Sequence, residues 1–485
     1  EIGSRVELIE THISWVLLAG AYAYKIKKPV RLSFVDFSTL ALRHHFCDEE
    51  LRLNRRFAPQ LYIGVVPITG DATAPRLGGA GDAVEFALKM HRMRDEDLAG
   101  ARLSIGTLGA AELEHFAATL TRWHRDAPVA DADGDFGTPQ RVAGDIDGVL
   151  ASWPDVRDVE AINDLQQWFA AQSRDTAQQV ADRLAQGCVR ECHGDLHVDN
   201  LATVGGELTA FDCLEFDANL RWIDTASEVA FLAMDLQARA RHDLAHVFIN
   251  AYLDASGDHA ALALLRRYQV YRALVRARVA RLREAGNDSP ARASIAGGYL
   301  ALAQRLSRQW DPRLLVTHGL PGSGKSWVTH ALVQATGAIR LRSDVERARL
   351  LGGGHYEAGD SAAVYQRLHA LAKLSLAAGY PTIVDAACLQ RAQRDPWPAL
   401  AARLRVPYLQ LHCDAPIDVL RQRVRDRALH GDDPSQADEA VLQILTTTQQ
   451  PLADDELARA LRVDTDQPLS AAALAAHWLA ARPAP

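Results

Sequence analysis

Cysteine, methionine and long apolar runs are all scarce in this chain. Six cysteines are spread over 485 residues, too few and too scattered for a disulfide framework, so a reducing compartment is expected. No segment reaches the roughly 18 consecutive apolar residues that a membrane-spanning helix needs. Glu1-Ile2-Gly3-Ser4 does not open a secretory signal, and a cytoplasmic location is the expectation. There is no large excess of one charge either. A formal net charge of −8 with 24% charged residues offers no general attraction to nucleic acid or to an anionic membrane. Neither is expected as a partner, and any phosphate site must gather its own cations locally. What is present is ordinary globular material: 48% hydrophobic residues in a chain long enough for two or three domains.

The chain opens with strand signals. Val6–Glu10 is one, and Trp15–Ala19 and Ala21–Lys28 flank Gly20 as a hairpin closed by Pro29. A helix over 39–57 and strands at Tyr62–Ile68 and Val84–Met90 follow. From Ala111 the period changes. Leu113, Phe116, Ala117, Leu120, Trp123 and His124 share one helical face, and helical patterning continues to about residue 309 around a strand-loop-strand insert at 188–214. At Asp311-Pro312 the character changes again. Apolar strands at Leu314–Thr317, Thr382–Asp385 and Tyr408–Cys413 alternate with helices, the pattern of a parallel α/β sheet. A domain boundary is expected near residue 310, with a terminal helix over Leu469–Ala481.

Gly319-Leu320-Pro321-Gly322-Ser323-Gly324-Lys325-Ser326 matches G-x-x-x-x-G-K-[ST] in full, with an apolar strand before it and a helix, Ser326–Gln334, after it. Gly319, Gly322 and Gly324 let the backbone wrap a phosphate chain, with N–H groups including that of Ser323 pointing inward at a helix N-terminus. Lys325 is expected to reach the β- and γ-phosphates and Ser326 to ligate Mg²⁺. Asp385, ending an apolar strand, is a second metal carboxylate or a turn cap. Asp344 can take the proton of an acceptor hydroxyl, and Arg347 can hold an anionic substrate. Over about 311–450 the chain resembles the P-loop kinases that include polynucleotide kinases and zeta toxins, in which Asp-x-x-Arg follows the Walker A helix. That resemblance implies an arginine-bearing lid. Arg423 and Arg427 fit it, and a solvated helix face accounts for the same arginines.

His193-Gly194-Asp195-Leu196-His197-Val198-Asp199-Asn200, followed by Ala210-Phe211-Asp212, makes a second constellation. One carboxylate sits on a loop, a carboxamide follows five residues on, and another carboxylate ends the next strand, an arrangement suited to Mg²⁺-dependent phosphoryl transfer. It resembles the H-G-D-x-x-x-x-N motif and metal-binding Asp of aminoglycoside phosphotransferases and choline kinases. By that likeness Asp195 is the base, Asn200 and Asp212 hold the metal, and His193 packs the loop. A kinase-like lobe also needs a strand lysine paired with a helical glutamate. Lys25 with Glu50 is the first choice, with Lys27 and Glu49 as alternatives and surface lysines on an edge strand as the plainer reading. No G-x-G-x-x-G precedes the lysine, and Glu10-Thr11-His12-Ile13-Ser14 stands in its place. Glu215 and Arg221 are candidates to face the acceptor, with exposed loop residues as the alternative, and Asp224 is expected to cap a helix beginning near Thr225. Cys188, Cys192, His193 and His197 are zinc-ligand types, but without a second C-x-x-C buried thiols are the expectation.

The layout resembles bacterial fusions of an aminoglycoside-phosphotransferase-like domain with a P-loop kinase domain. The resemblance implies an α+β two-lobed kinase-like domain over 1–310 and an α/β P-loop domain with a parallel sheet over 311–485. It also implies ATP, or GTP, with Mg²⁺ in both, and a small-molecule hydroxyl acceptor such as a sugar, a cyclitol or an aminoglycoside-like compound. Two further readings stay open. In one, a single domain is catalytic and the other is a regulatory NTP-binding module. In the other, the chain is a toxin-like or nucleic-acid-modifying kinase, which a basic groove beside Asp344 would favour and a small closed pocket would disfavour.

Overall fold

A computed structural model describes residues 6–32, 35–71, 73–284, 290–352, 358–430 and 438–482. The chain divides into two compact units, one of residues up to Ala240 with Leu264–Ser307, the other of Arg241–Ala263 with Arg308 onward. The segment Arg241–Ala263, which the sequence reading gives to the first domain, thus groups with the second.

The first unit begins with a six-stranded antiparallel sheet in the order Glu7–Glu10, Ser14–Ala19, Tyr22–Lys27, Ala83–His91, Tyr62–Thr69, Arg76–Leu77. Gly20 makes the hairpin turn with a left-handed φ of 59°. The helix Leu40–Asn54 packs on this sheet. Thr39 caps it, its hydroxyl accepting from the Leu42 amide. A helical lobe follows, closed around Phe231, Met234, Val270 and Leu274. Each such fully buried side chain contributes about 1.5–3 kcal/mol. The first unit is thus α+β, a strand-rich part followed by a helical one.

The second unit is built on a parallel five-stranded sheet in the order Ile339–Arg342, Thr382–Asp385, Leu314–His318, Tyr408–Asp414, Ala460–Asp464. Leu314–His318 and Thr382–Asp385 are buried throughout, which is why they read as short unbroken apolar runs. The flanking strands Ile339–Arg342 and Ala460–Asp464 interleave arginine with apolar residues and are not apparent in the sequence. Trp478, on the terminal helix Ala471–Ala480, is fully buried against Leu332 and Leu411 in the core. The edge strand Ile339–Arg342 is closed by Asn250 of the helix His242–Ser256. Its amide donates to the Ala338 carbonyl at 3.0 Å and accepts from the Arg340 amide at 2.7 Å, imitating one step of a further strand. No helix among the described residues is long and apolar enough to cross a membrane.

Candidate active sites

The P-loop joins the strand Leu314–His318 to the helix Lys325–Thr336. Gly319, Gly322 and Gly324 all have positive φ. At Gly322 (φ 82°) a Cβ would also lie 2.7 Å from the Leu420 carbonyl oxygen, so strain and crowding both demand glycine. Lys325 Nζ folds back over the loop and donates to the Gly319 and Leu320 carbonyls at 2.9 Å each. Burial pulls its pKa down against the attraction of Asp385. The Ser323 carbonyl accepts from Thr465 at 3.0 Å. Asp385 ends its strand buried and accepts from Thr329 at 2.9 Å. Asp344 lies in the first turn of the helix Ser343–Leu351, with Arg342 as N-cap and Arg347 one turn on. Lys325, Ser326, Asp344, Arg347, Asp385 and Arg427 all line one cavity of about 480 Å³.

Arg423 lines the same cavity, but its guanidinium is held by the loop's surroundings. It donates to the Gly322 carbonyl at 3.2 Å, the Thr465 hydroxyl at 2.8 Å and the Thr465 carbonyl at 2.8 Å. It clamps the P-loop, a role that adjacency in sequence gives no hint of.

In the first unit, Lys25 Nζ donates to Glu50 at 2.7 Å and to Asp212 at 2.6 Å. Lys27, fully buried, also donates to Glu50 at 2.7 Å and to Glu215, with its ammonium 4.8 Å from the centre of the Phe37 ring. Both lysines therefore share Glu50, while Glu49 pairs with Arg52 at 2.9 Å. Burial opposes ionisation of Glu50, but the two ammonium groups outweigh it and bring its carboxyl down to about 2. At Glu215 burial wins over Lys27 and the pKa rises.

The loop after the strand Val189–Glu191 is held from behind by Glu228. That carboxylate accepts from the His193 and Gly194 amides at 2.6 and 2.8 Å and lies 2.7 Å from His124 Nε2. Asn200 donates to the Asp195 carbonyl at 2.9 Å and to its carboxylate at 3.1 Å. Burial works to raise the Asp195 carboxyl, yet His197, Arg276 and His193 together hold it well below the usual range. Asp212 takes a left-handed φ of 61°, and its amide donates to the Tyr62 hydroxyl at 3.0 Å. Asn200 and Asp195 thus form one bonded pair and Lys25, Glu50 and Asp212 another, while the Phe211 amide, next to Asp212, donates to the Asn200 carbonyl at 3.0 Å.

Two sequence expectations need correction. Glu215 and Arg221 do not face an acceptor. Both are buried, Glu215 against Lys27 and Arg221 against Glu191 at 3.1 Å and the Glu215 carbonyl at 3.2 Å. A buried ion stays only where such partners satisfy it. Asp224 caps its helix through the Ala226 amide at 2.9 Å and also holds Arg183 at 2.6 Å. The zinc ligand types do not converge. His193 Nε2 lies 2.9 Å from the Phe211 carbonyl and Cys192 Sγ points to the Ile223 carbonyl. In place of the glycine loop the turn closes on itself, with the Thr11 amide donating to the Ser14 carbonyl and the Ser14 amide to the Thr11 hydroxyl, both at 2.9 Å.

Residues 314–452 match the model of an AAA domain family. A sugar kinase from Janibacter sp. HTCC2649 is similar at 24% identity and a TM-score of 0.28, covering 34% of this chain and 94% of its own. A choline/ethanolamine kinase family protein from Mesorhizobium loti is similar at 13% identity and a TM-score of 0.37, covering 63% of this chain and 88% of its own. The uncharacterized protein Rv2004c of Mycobacterium tuberculosis is 31% identical over 454 residues, 87% of this chain and 86% of that protein. Mb2027c of Mycobacterium bovis matches to the same degree, and the chain belongs to the family of these two mycobacterial proteins.

Proposed function

We propose that the protein is a tandem phosphotransferase, moving the γ-phosphate of ATP, or GTP, to hydroxyl acceptors at two sites. The observation that carries this reading is the single cavity in which Lys325, Ser326, Asp344 and Asp385 meet. Loop amides and Lys325 bind the phosphates, and Asp344 accepts the acceptor's proton. In the first unit Lys25 orients the nucleotide phosphates and Asp195, kept ionised, is the base. Hard oxygen donors, Ser326 with Asp385 and Asn200 with Asp212, suit Mg²⁺. When bound, that ion neutralises charge developing on the phosphates. The acceptors are small molecules such as sugars, cyclitols or aminoglycoside-like compounds. Transfer of labelled phosphate from ATP, measured on the full chain, Asp195→Asn, Asp344→Asn and the double variant, tests the reading. Each single variant is expected to lose one set of products and the double variant both. Undiminished transfer by the double variant would overturn it.

A second reading rests on the closed Thr11–Ser14 turn, whose own hydrogen bonds occupy groups that a glycine loop would turn to phosphate. In it the first unit binds nucleotide only to regulate the second. Transfer that survives Asp195→Asn in full but falls with Lys25→Ala supports that alternative.

A further inference from the structure

In the first unit five charged groups stand in a row of alternating sign, Asp212, Lys25, Glu50, Lys27 and Glu215. The row runs from solvent into the interior. The Asp212 side chain is 48% exposed and that of Lys25 14%, while those of Glu50 and Lys27 are 1% exposed each. The outer half of the row is the proposed nucleotide site. The inner half, Lys27 with Glu215, is buried out of reach of a ligand, and phosphoryl transfer itself does not call for it. Stability does not explain it either. Apolar residues of similar volume usually serve a fold as well as a buried ion pair, or better.

Glu50 shows what the inner pair does. Its Oε1 accepts from Lys25 and its Oε2 from Lys27, both at 2.7 Å. The last torsion of a glutamate is broad, so a single bond would let the carboxylate turn with Lys25. The second bond fixes its plane. Lys27 is itself pinned between the Glu215 carboxylate and the Phe37 ring, whose centre lies 4.8 Å from the ammonium. Glu215 is anchored in turn by Arg221, which donates to its carbonyl at 3.2 Å. Lys25 is the member that must move. It bonds to Asp212 at 2.6 Å, and Asp212 is proposed for the metal, so that bond has to open for the site to fill. Glu50 is then the anchor that Lys25 keeps, and its placing decides where Lys25 meets the phosphates.

We propose that Lys27, backed by Glu215, is a positioning residue for the nucleotide site of the first unit, holding Glu50 still so that Lys25 can exchange Asp212 for the phosphates. The inference rests on the reading of the first unit as a nucleotide site and deepens it. It gives Lys27 and Glu215 a part in binding although neither touches the ligand.

The test uses the full chain carrying Lys325→Ala, so that the isotherm reports the first unit. Mg²⁺ with a non-hydrolysable ATP analogue is titrated in by calorimetry, and urea unfolding is followed alongside. Lys27→Met alone should lower both the urea midpoint of the first unit and the affinity, since it leaves the Glu215 carboxyl without its partner. Adding Glu215→Gln should return the midpoint towards the parent but leave the analogue bound about tenfold more weakly, within the range of coupling between residues in contact. Return of both would make Lys27 a packing charge only and overturn the inference. Glu215→Gln alone decides the matter if the double variant does not fold. It frees Lys27 to compete with Lys25 for Glu50, so affinity should fall by less than tenfold at an unchanged midpoint. Affinity that none of these changes moves would overturn the inference and leave the nucleotide reading standing. Failure of the Lys325→Ala chain to bind the analogue at all would overturn that reading for the first unit, and the inference with it.

Discussion

In the second unit the groups proposed to bind a nucleotide's phosphates come from eight consecutive residues, Gly319–Ser326. In the first the proposed nucleotide and metal centre is drawn from four separated places, Lys25, Glu50, Asn200 and Asp212. The consecutive loop is held by the protein's own contacts. Thr465 and Arg423 tie its carbonyls down, and Lys325 rests on the Gly319 carbonyl. The dispersed set is held by ion pairs instead, and Lys25 already bridges Glu50 and Asp212. Preorganised donors lose less freedom when a ligand binds, so the second unit should be the tighter nucleotide site. The contrast sets two ways of holding a proposed site side by side, one through local backbone geometry and the other through long-range charge pairing.

The largest expected effect separates base from metal site in the dispersed centre. Asp195→Asn should lower transfer at that site about 10²- to 10⁴-fold while nucleotide binding there is retained. Asp212→Asn should weaken Mg²⁺-nucleotide binding itself. Calorimetry on the full chain giving the same result for both would erase the distinction. Next in size, Lys325→Ala should weaken nucleotide binding at the consecutive loop about a hundredfold, the loss of a charge-assisted contact of up to about 3 kcal/mol. The tight site should vanish from the isotherm and the weaker one remain. Loss of the weaker site instead would reverse the ranking.

How much could be read in advance follows from the same contrast. The P-loop was legible because its residues are contiguous, and the contact of Asn200 with Asp195 because their spacing is short. Lys25 and Lys27 share parity on one strand, so the signal that both could meet Glu50 was present, although only one pairing was preferred. Glu215 and Arg221 read as acceptor-facing or exposed because they follow a strand in a polar stretch. Nothing local reveals that Lys27 and Glu191 draw them inside. The clamp between Arg423 and Thr465 spans 42 residues, and the seam from Asn250 to Arg340 spans 90. Such contacts exist only once the chain is folded.

Glu50 gives the third test, a pH dependence with a definite sign. Its folded pKa of about 2 lies below the ordinary 4.5. It therefore contributes stability that is fully present above pH 4.5 and is lost as pH falls toward 2. Glu50→Gln should cost about 3 kcal/mol near neutrality, in the range of breaking a buried ion pair. The gap between variant and parent in urea unfolding should close between pH 5 and pH 2 (about the two pKa values that bound the linkage). A gap that stays constant with pH would mean that Glu50 acts by packing and not by charge.

The smallest effect concerns the segment that the sequence assigns to one unit and the fold to the other. Asn250→Leu removes both partners of the edge strand, leaving the Ala338 carbonyl and the Arg340 amide unsatisfied, at a cost of about 2 kcal/mol in the second unit's unfolding. Asn250→Asp retains an acceptor for the Arg340 amide and loses only the donor to Ala338, so it should fall between Leu and the parent. Neither change touches a residue lining the P-loop cavity, and nucleotide affinity should hold while stability drops. A fragment of residues 311–485, which lacks the whole segment, should be less stable than the second unit of the full chain by more than Asn250→Leu alone, because the Arg349 contact to Asp254 is lost as well. If that fragment unfolds at the same urea concentration as the second unit of the full chain, Arg241–Ala263 is a passenger on the second unit and not a part of it.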